Sequence, residues 1–185
     1  MVIASRNPER IASAVDELGE YCQDGAEVVG MRVNIRDRDS VSKMVSNTLE
    51  KFGQIDGLVN NGGGQFHSRA EDISQKGFHA VVETNLYGTW NCMFECFEQY
   101  MKENGGNIGE FRFFRVSRRT VLNSVNIVTI NRMGMAGMAH SGAARAGVKN
   151  LSQSLGAEWM EYGIKINNIA PGTVYSPTAQ VILKY

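Results

Sequence analysis

The chain has 185 residues, enough for one domain with a buried core, and 43% of them are hydrophobic. Nineteen Lys and Arg balance 19 Asp and Glu, so no net field draws the chain to nucleic acid or to a membrane surface. No apolar run approaches the roughly 18 residues that cross a bilayer, and no secretory signal is visible. We therefore expect neither a nucleic-acid partner nor a membrane partner.

Strand and helix patterns alternate along the chain, which predicts an α/β fold with a doubly wound parallel sheet. Asn7 and Pro8 are typical of a helix start, while Gly19 and Gly53 are typical of helix ends. The predicted strands cover 2–5, 28–35, a segment from 55, 125–130 and 164–170. The predicted helices cover 8–19, a segment that Asp37 or Asp39 caps and that ends near Phe52, 77–103 and 142–162.

The three cysteines have no spacing typical of a metal site or a disulfide framework, and the three histidines lack metal-ligand spacing. Cys92 and Cys96 lie one helical turn apart, where packing in a core is the expected role. We therefore expect no metal ion, and a reducing compartment.

Residues 60–66 (Asn-Asn-Gly-Gly-Gly-Gln-Phe) end the apolar run that begins at Ile55. The ligand crevice of a parallel sheet lies beyond the carboxyl ends of its strands, and glycine allows a ligand to approach the backbone closely. The run predicts a ligand-binding loop, although a plain tight turn has the same composition.

Residues 109–124 interrupt this pattern, with four arginines against one acid. Their removal would leave a turn that runs directly into the strand at Val125. Three interpretations stay open: a surface loop or extra hairpin, a basic patch that meets phosphate, and an aberrant insert such as a retained intron. The insert is the interpretation that we favour from the sequence.

Four motifs in order resemble the short-chain dehydrogenase/reductase superfamily: residues 60–63, 85–88, 125–129 and 166–172. The resemblance implies a Rossmann-like sheet with strand order 3-2-1-4-5-6-7 and a nicotinamide cofactor. Residues 62–66 and 140–148 are further similar to the peroxisomal trans-2-enoyl-CoA reductases. That family reduces the 2,3 double bond of acyl-CoA thioesters with NADPH during fatty-acid elongation, so an acyl-CoA substrate and a peroxisomal location are implied.

The resemblance also implies a set of catalytic residues. Ser141 and Arg145 take the positions of the superfamily's Tyr-x-x-x-Lys pair, where Arg145 would hold the cofactor ribose. Serine is a far weaker acid than tyrosine, which disfavours carbonyl reduction and suits alkene reduction. Thr129 supplies a hydroxyl at the catalytic serine position, and Asn85 would brace the backbone and a water. Lys149 aligns with the tyrosine proposed as the proton donor of the enoyl reductases, so that donor is absent.

Structural roles are the alternatives at three of these positions. Ser141 could be only the N-cap of its helix, Thr129 an ordinary strand residue, and Asn85 the partner of a buried carbonyl.

The cofactor site implied by the resemblance spreads over several strand ends. Arg6 follows the first strand, where an arginine can pair with a 2′-phosphate and favours NADPH over NADH, although a solvated arginine at a helix start is the alternative. The implied cofactor-binding residues are Ser5, Arg6, Asn34, Ile35, Asn61, Gly62, Gly63, Arg145, Pro171, Gly172 and Thr173.

The superfamily pattern is not complete in residues 1–185, which we interpret as a single incomplete dinucleotide-binding domain. The first strand and the Gly-rich turn that binds pyrophosphate have no counterpart, because Met1 aligns with the start of the second strand. We expect this polypeptide to bind NADPH poorly. The Ile55 strand is expected to pair directly with the strand at Val2, which would close the gap in the sheet.

Two other functions remain alternatives. The chain could be a non-catalytic partner of a full-length reductase, or a homo-oligomer, through the helices at 77–103 and 142–162. It could also reduce a carbonyl, as most members of the superfamily do.

Overall fold

The computed structural model describes residues 1–23, 25–105, 123–128 and 134–171, with the backbone alone described at 123–124. The strands are β1 Val2–Ser5, β2 Val29–Arg32, β3 Gly57–Asn60, β4 Asn123–Ile127 and β5 Lys165–Ile169. The main helices are α1 Pro8–Gly19, α2 Arg38–Phe52, α3 Gln75–Val82, α4 Gly88–Cys96, α5 Lys102–Asn104 and α6 Ala139–Glu158. Two π turns, Glu83–Tyr87 and Phe97–Met101, join α3, α4 and α5. The predicted α/β class is confirmed.

The described strands form two separate parallel sheets rather than one. β1 pairs with β2, and β4 lies between β3 and β5. Our expectation that the strand after Ile55 pairs with β1 is wrong, because β3 pairs only with β4 among the described strands. The position that the resemblance assigns to a central strand is a cleft between β1 and β3.

The segment interpreted as an insert overlaps β4. Asn123 pairs in register with Gly57 on one side and with Lys165 on the other. Ser124 continues both ladders, so the last two residues of 109–124 belong to the central strand of the three-stranded sheet. Residues 109–122 lie outside the described residues.

Side chains at the helix starts explain where the first two helices begin. The Asn7 side chain accepts a hydrogen bond from the Arg10 backbone N–H, and Pro8 occupies the first turn, as expected from the sequence. The Asp37 carboxylate caps α2 by accepting from two backbone N–H groups. Gly53 ends α2 in the left-handed conformation at φ 72°, which glycine adopts without steric strain.

One core connects the two sheets through the helices that cover their common face. Val41 and Val45 of α2 are buried together with Met93 of α4. Phe97 stacks on Trp159 with ring centroids 4.2 Å apart. Cys92 and Cys96 lie in this core, as expected, and burial raises the pKa of the Cys92 thiol to about 12. Because no described strand pair joins the two sheets, burial of this apolar surface is what holds them together.

A buried carboxylate also joins α2 to α4. Glu95 accepts a 2.6 Å hydrogen bond from Arg38 and a 2.9 Å bond from the Gln99 amide. Burial raises the pKa of Glu95, but the hydrogen bonds from Arg38, Gln99 and Ser42 outweigh that effect and lower it overall. The carboxylate is therefore kept ionised at the helix interface. Among the described residues, no helix has the length and apolar character needed to cross a bilayer.

Candidate active site

The loop after β3 approaches two polar side chains at Gly63, where any larger residue would force a neighbouring side chain to shift. A Cβ atom built on Gly63 would lie 2.7 Å from Asn85 Oδ1 and 3.1 Å from Arg145 Nη2. The first distance is shorter than any ordinary contact of a Cβ atom. A glycine at position 63 therefore allows the loop to approach Asn85 and Arg145 closely.

Asn85 holds this loop in place from within a π turn. Its Nδ2 donates hydrogen bonds to the Gly64 carbonyl at 2.7 Å and to the Val81 carbonyl at 2.8 Å. Thr89 donates to the Asn85 carbonyl at 2.8 Å. The π turn widens the helix by one residue and redirects the side chain, a feature frequent at functional sites. Periodicity alone predicted one uninterrupted helix here, since a single inserted residue leaves the apolar pattern almost unchanged.

Ser141 lies inside α6 and is fully buried. Its hydroxyl donates a 2.7 Å hydrogen bond to Gln65 Oε1 in the glycine loop. The helix begins at Ala139 with Met138 at the cap position, so the interpretation of Ser141 as an N-cap is wrong. The serine is instead a contact between α6 and the loop that follows β3.

Arg145 lies one helical turn after Ser141 and bonds to the end of β4. Its Nη1 donates to the Ile127 carbonyl at 3.0 Å, and burial lowers the pKa of the guanidinium. Arg145 Nε and Asn85 Oδ1 are buried polar atoms that have no hydrogen-bond partner among the described residues. Unsatisfied polar atoms on two side chains that meet at Gly63 fit a polar ligand such as the ribose and amide of a nicotinamide nucleotide.

Aromatic packing forms one wall of the site. Phe66 makes an edge contact with the ring of the fully buried His140, with ring centroids 4.4 Å apart. Desolvation lowers the pKa of His140, and a hydrogen bond with the Met138 backbone only partly offsets this effect. The imidazole is therefore neutral at neutral pH. Gly137, at φ 76°, accepts a 3.0 Å backbone hydrogen bond from Ser68. These contacts fix the glycine loop against the start of α6.

A buried hydrogen-bond network crosses the three-stranded sheet. Asn60 donates to Asn126 Oδ1 at 2.9 Å, and Asn126 donates to Ser152 Oγ at 2.9 Å. Ser152 donates to the Val148 carbonyl at 2.7 Å, and it lies 3.0 Å from Asn168 Oδ1. This hydrogen-bond network links all three strands of the sheet to α6, and so aligns the carboxyl ends of the strands with one another.

The structure brings only some of the sequence-predicted site residues together. Asn85, Ser141, Arg145 and the glycine loop meet at one place, and the Ile35 side chain packs against Gly62 and Gly88. Ser5, Arg6, Asn34 and Asn61 are exposed and lie at or near the ends of their strands, as expected, and Pro171 is half-buried after β5. Thr129, Gly172 and Thr173 lie outside the described residues.

Sequence reasoning assigned no role to three residues that build the site. Gln65 is the partner of Ser141, and Asn126 and Ser152 form the centre of the buried chain. The position of Gln65 directly after the glycine run was a usable signal. Asn126 and Ser152 gave none, because their partners lie 66 and 16 residues away in the sequence.

Known proteins match the chain over nearly its whole length. The family described as Enoyl-(Acyl carrier protein) reductase matches residues 1–185. The chain belongs to the short-chain dehydrogenase/reductase superfamily. The peroxisomal 2,4-dienoyl-CoA reductase of Danio rerio is 30% identical over 174 residues, which cover 94% of this chain and 52% of that protein. A probable 2,4-dienoyl-CoA reductase of Bacillus subtilis (strain 168) is 29% identical, over 94% of this chain and 62% of that protein.

Solved structures of this superfamily share the fold. The citronellol catabolism dehydrogenase AtuB of Pseudomonas aeruginosa PAO1 is 35% identical with a TM-score of 0.77, covering 92% of this chain and 62% of that one. A short-chain dehydrogenase from Bacillus anthracis is 31% identical with a TM-score of 0.80, covering 94% of this chain and 66% of that one. The Rossmann-like architecture is therefore shown, while the chain spans between half and two thirds of the length of these relatives.

Proposed function

We propose that this protein is an NADPH-dependent reductase of the 2,3 double bond of trans-2-enoyl-CoA thioesters. The observation that carries the proposal is the buried Ser141, which bonds to Gln65 and lies one turn before Arg145. The superfamily's tyrosine and lysine would occupy these two positions. A serine hydroxyl is too weak an acid to protonate an alkoxide efficiently, so the site suits a reaction in which no alkoxide forms.

Reduction of a conjugated thioester places transient negative charge on the thioester oxygen. Hydrogen-bond donors fixed near that oxygen therefore contribute the largest expected catalytic effect. The Ser141 hydroxyl donates to Gln65 Oε1 and so orients the Gln65 carboxamide, whose N–H groups can donate to a thioester oxygen placed beside them. Because the pair is held by α6 and by the loop, its orientation is set before substrate binds.

The cofactor would be held mainly by Arg145 and Asn85. Arg145 offers a planar set of donors to ribose hydroxyls, and Asn85 Oδ1 is an unsatisfied acceptor beside Gly63. When bound, the nicotinamide supplies the hydride that reaches the β carbon of the substrate. Arg6, exposed after β1, supports the choice of NADPH because it can pair with a 2′-phosphate.

The pyrophosphate half of the cofactor fits less well. β1 ends at Ser5, and Arg6 and Asn7 alone separate it from α1, so no Gly-rich turn precedes that helix. We propose for this reason that residues 1–185 bind NADPH weakly. Fluorescence titration is expected to show no saturation at micromolar NADPH, and a micromolar dissociation constant would contradict this expectation.

Reduction of a 2,4-dienoyl-CoA is the second candidate, because the curated relatives named above carry that activity in their names. In both reactions transient negative charge is delocalised onto the thioester oxygen, but the hydride is added to a different carbon. A peroxisomal location is part of the same proposal, and two relatives, from Danio rerio and Rattus norvegicus, are named peroxisomal. A non-catalytic role as the partner of a full-length reductase is the alternative outside the enzyme class.

Mass spectrometry of the acyl-CoA products tests these candidates. The chain is incubated at high concentration with millimolar NADPH and, separately, with trans-2-hexenoyl-CoA, 2,4-hexadienoyl-CoA and 3-oxohexanoyl-CoA. We expect hexanoyl-CoA from the first substrate and no 3-hydroxy product from the third, with Arg145→Ala lowering conversion at least tenfold. Conversion of the dienoyl substrate alone would favour the second candidate, 3-hydroxyhexanoyl-CoA would contradict the assignment, and no conversion would favour the non-catalytic role.

A further inference from the structure

The sequence Asn-Gly-Gly occurs twice in the chain, at residues 61–63 and 104–106. In such a sequence the backbone nitrogen of the glycine can attack the side-chain carbonyl carbon of the asparagine and close a succinimide ring. Glycine favours this reaction, because it has no Cβ to shield its nitrogen. Since both asparagines are followed by the same residues, their reactivities in the unfolded chain should be similar, and the folded structure decides which of them reacts.

The structure protects Asn104, although this residue is exposed. It is the last residue of α5, and its Nδ2 donates a 2.8 Å hydrogen bond to the Tyr100 carbonyl. This bond directs the side chain back along the helix, away from Gly105. Ring closure would have to break the bond and rotate the backbone of Asn104 out of its helical conformation. Both requirements slow the reaction.

Asn61 has neither of these restraints. It is exposed, and it follows β3 in a segment that is neither helix nor strand. Among the described residues, the Asn61 carboxamide and the Gly62 N–H have no hydrogen-bond partner. The attacking nitrogen and the carbonyl carbon are therefore both available for ring closure.

We propose that Asn61 is a site of spontaneous deamidation, which converts the loop after β3 into an isoaspartyl form and opens the candidate active site. The Gly62 nitrogen bonds to Asn61 Cγ, and the side-chain nitrogen leaves as ammonia with the proton that the Gly62 nitrogen loses. Water then opens the ring. Its attack at the former side-chain carbonyl gives aspartate, and its attack at the main-chain carbonyl gives isoaspartate. The reaction consumes water, releases ammonia and does not depend on the proposed reductase activity.

Isoaspartate would lengthen a loop that is fixed on both sides of it. Its main chain runs through the former Cβ and Cγ atoms, and so contains one additional carbon atom just before Gly62. On one side of the loop, Asn60 is buried and donates to Asn126 Oδ1 at 2.9 Å. On the other side, the Gly64 carbonyl accepts from Asn85 at 2.7 Å. The longer main chain must therefore bulge or break one of these attachments.

The packing of the loop prevents a bulge toward the helices. A Cβ atom built on Gly62 would lie 2.8 Å from Ile35 Cδ1, and Gly63 is packed as closely. The lengthened loop must therefore move outward, which would separate Gln65 from Ser141. Deamidation would in this way cause a slow and irreversible loss of the site's geometry.

Peptide mapping by mass spectrometry tests the reaction, with the intact chain aged for weeks at pH 8. We expect Asn61 to deamidate at least tenfold faster than Asn104 in the folded chain, and the two rates to become similar in concentrated guanidinium chloride. Asn61→Gln should abolish the reaction at this position, because glutamine closes its larger ring much more slowly. Equal rates in the folded chain, or no conversion at Asn61, would overturn the proposal.

Thermal unfolding of the isoaspartyl form, separated by chromatography, tests the effect on the loop. Its midpoint should lie about 2–4 °C below that of the unreacted chain, the shift expected for the loss of one hydrogen bond. Hydrogen exchange at residues 62–66 should also be faster. Asn61→Asp is the matched control, because it adds the charge without the additional carbon atom, and it should stay close to the unreacted chain in both measurements. An isoaspartyl form that behaves like Asn61→Asp would overturn the opening of the site.

Discussion

The Ser141 hydroxyl and the Gln65 carboxamide oxygen are joined by a 2.7 Å hydrogen bond that ties α6 to the loop after β3. The two residues are 76 positions apart in the chain. This bond fixes the glycine loop relative to the helix that carries Arg145, and so sets the shape of the candidate active site.

Ser141→Ala should destabilise the protein by about 1–2 kcal/mol, because Gln65 Oε1 would lose its donor in a part-buried position. Urea unfolding measures the change. Ser154→Ala, at an exposed position of the same helix, serves as the control and should change stability by less than about 0.5 kcal/mol. Equal effects of the two substitutions would show that the Gln65 bond contributes nothing.

Gly63→Ala should destabilise the protein by about 1–3 kcal/mol, because the new Cβ would meet Asn85 Oδ1 at 2.7 Å. Gly64→Ala is the matched control, since the nearest atom to its Cβ would be 3.9 Å away. Thermal unfolding of both variants gives the comparison. If Gly64→Ala proved as harmful as Gly63→Ala, backbone entropy or dihedral strain would explain the loss better than the Asn85 contact.

Asn126→Ala should lower the free energy of unfolding by about 2–4 kcal/mol, because it removes the acceptor of the buried Asn60 amide and the donor to Ser152 Oγ. Asn150→Ala, at an exposed position of α6, is the control and should be nearly neutral. A double-mutant cycle with Ser152→Ala should give a coupling energy of at least about 0.5 kcal/mol. Strict additivity would show that the hydrogen-bond chain does not act as a unit.

The lowered pKa of His140 makes the stability of the protein depend on pH. Its pKa is lowered by burial in the folded state, so the unfolded chain binds the proton first as the pH falls below about 6.5. Stability from the neutral imidazole is complete above that pH and decreases as the pH falls toward the lowered folded value. Denaturant unfolding between pH 7.5 and 5 should show this slope, and His140→Phe should reduce it. A slope that survives in His140→Phe would assign the effect to other groups.

The sequence alone determined the fold class and the family. Alternating apolar patterns, capping residues such as Asn7 and the glycine run depend on local backbone preferences, which are written in neighbouring residues. The motifs at 60–63, 85–88, 125–129 and 166–172 likewise identified the superfamily. Local signals could not place the start of α6, because the residue at its N-cap position, Met138, makes no capping hydrogen bond with its side chain.

Only the tertiary structure decided which residues meet. The Ser141–Gln65 bond, the π turn at Asn85 and the chain through Asn126 depend on contacts between segments that are far apart in sequence. The same is true of the separation of β1 from β3, which the sequence led us to expect as a direct pair. Strand pairing is decided by the packing of helices on the sheet faces, and here α2 and α4 hold the two sheets together while leaving their facing edges apart.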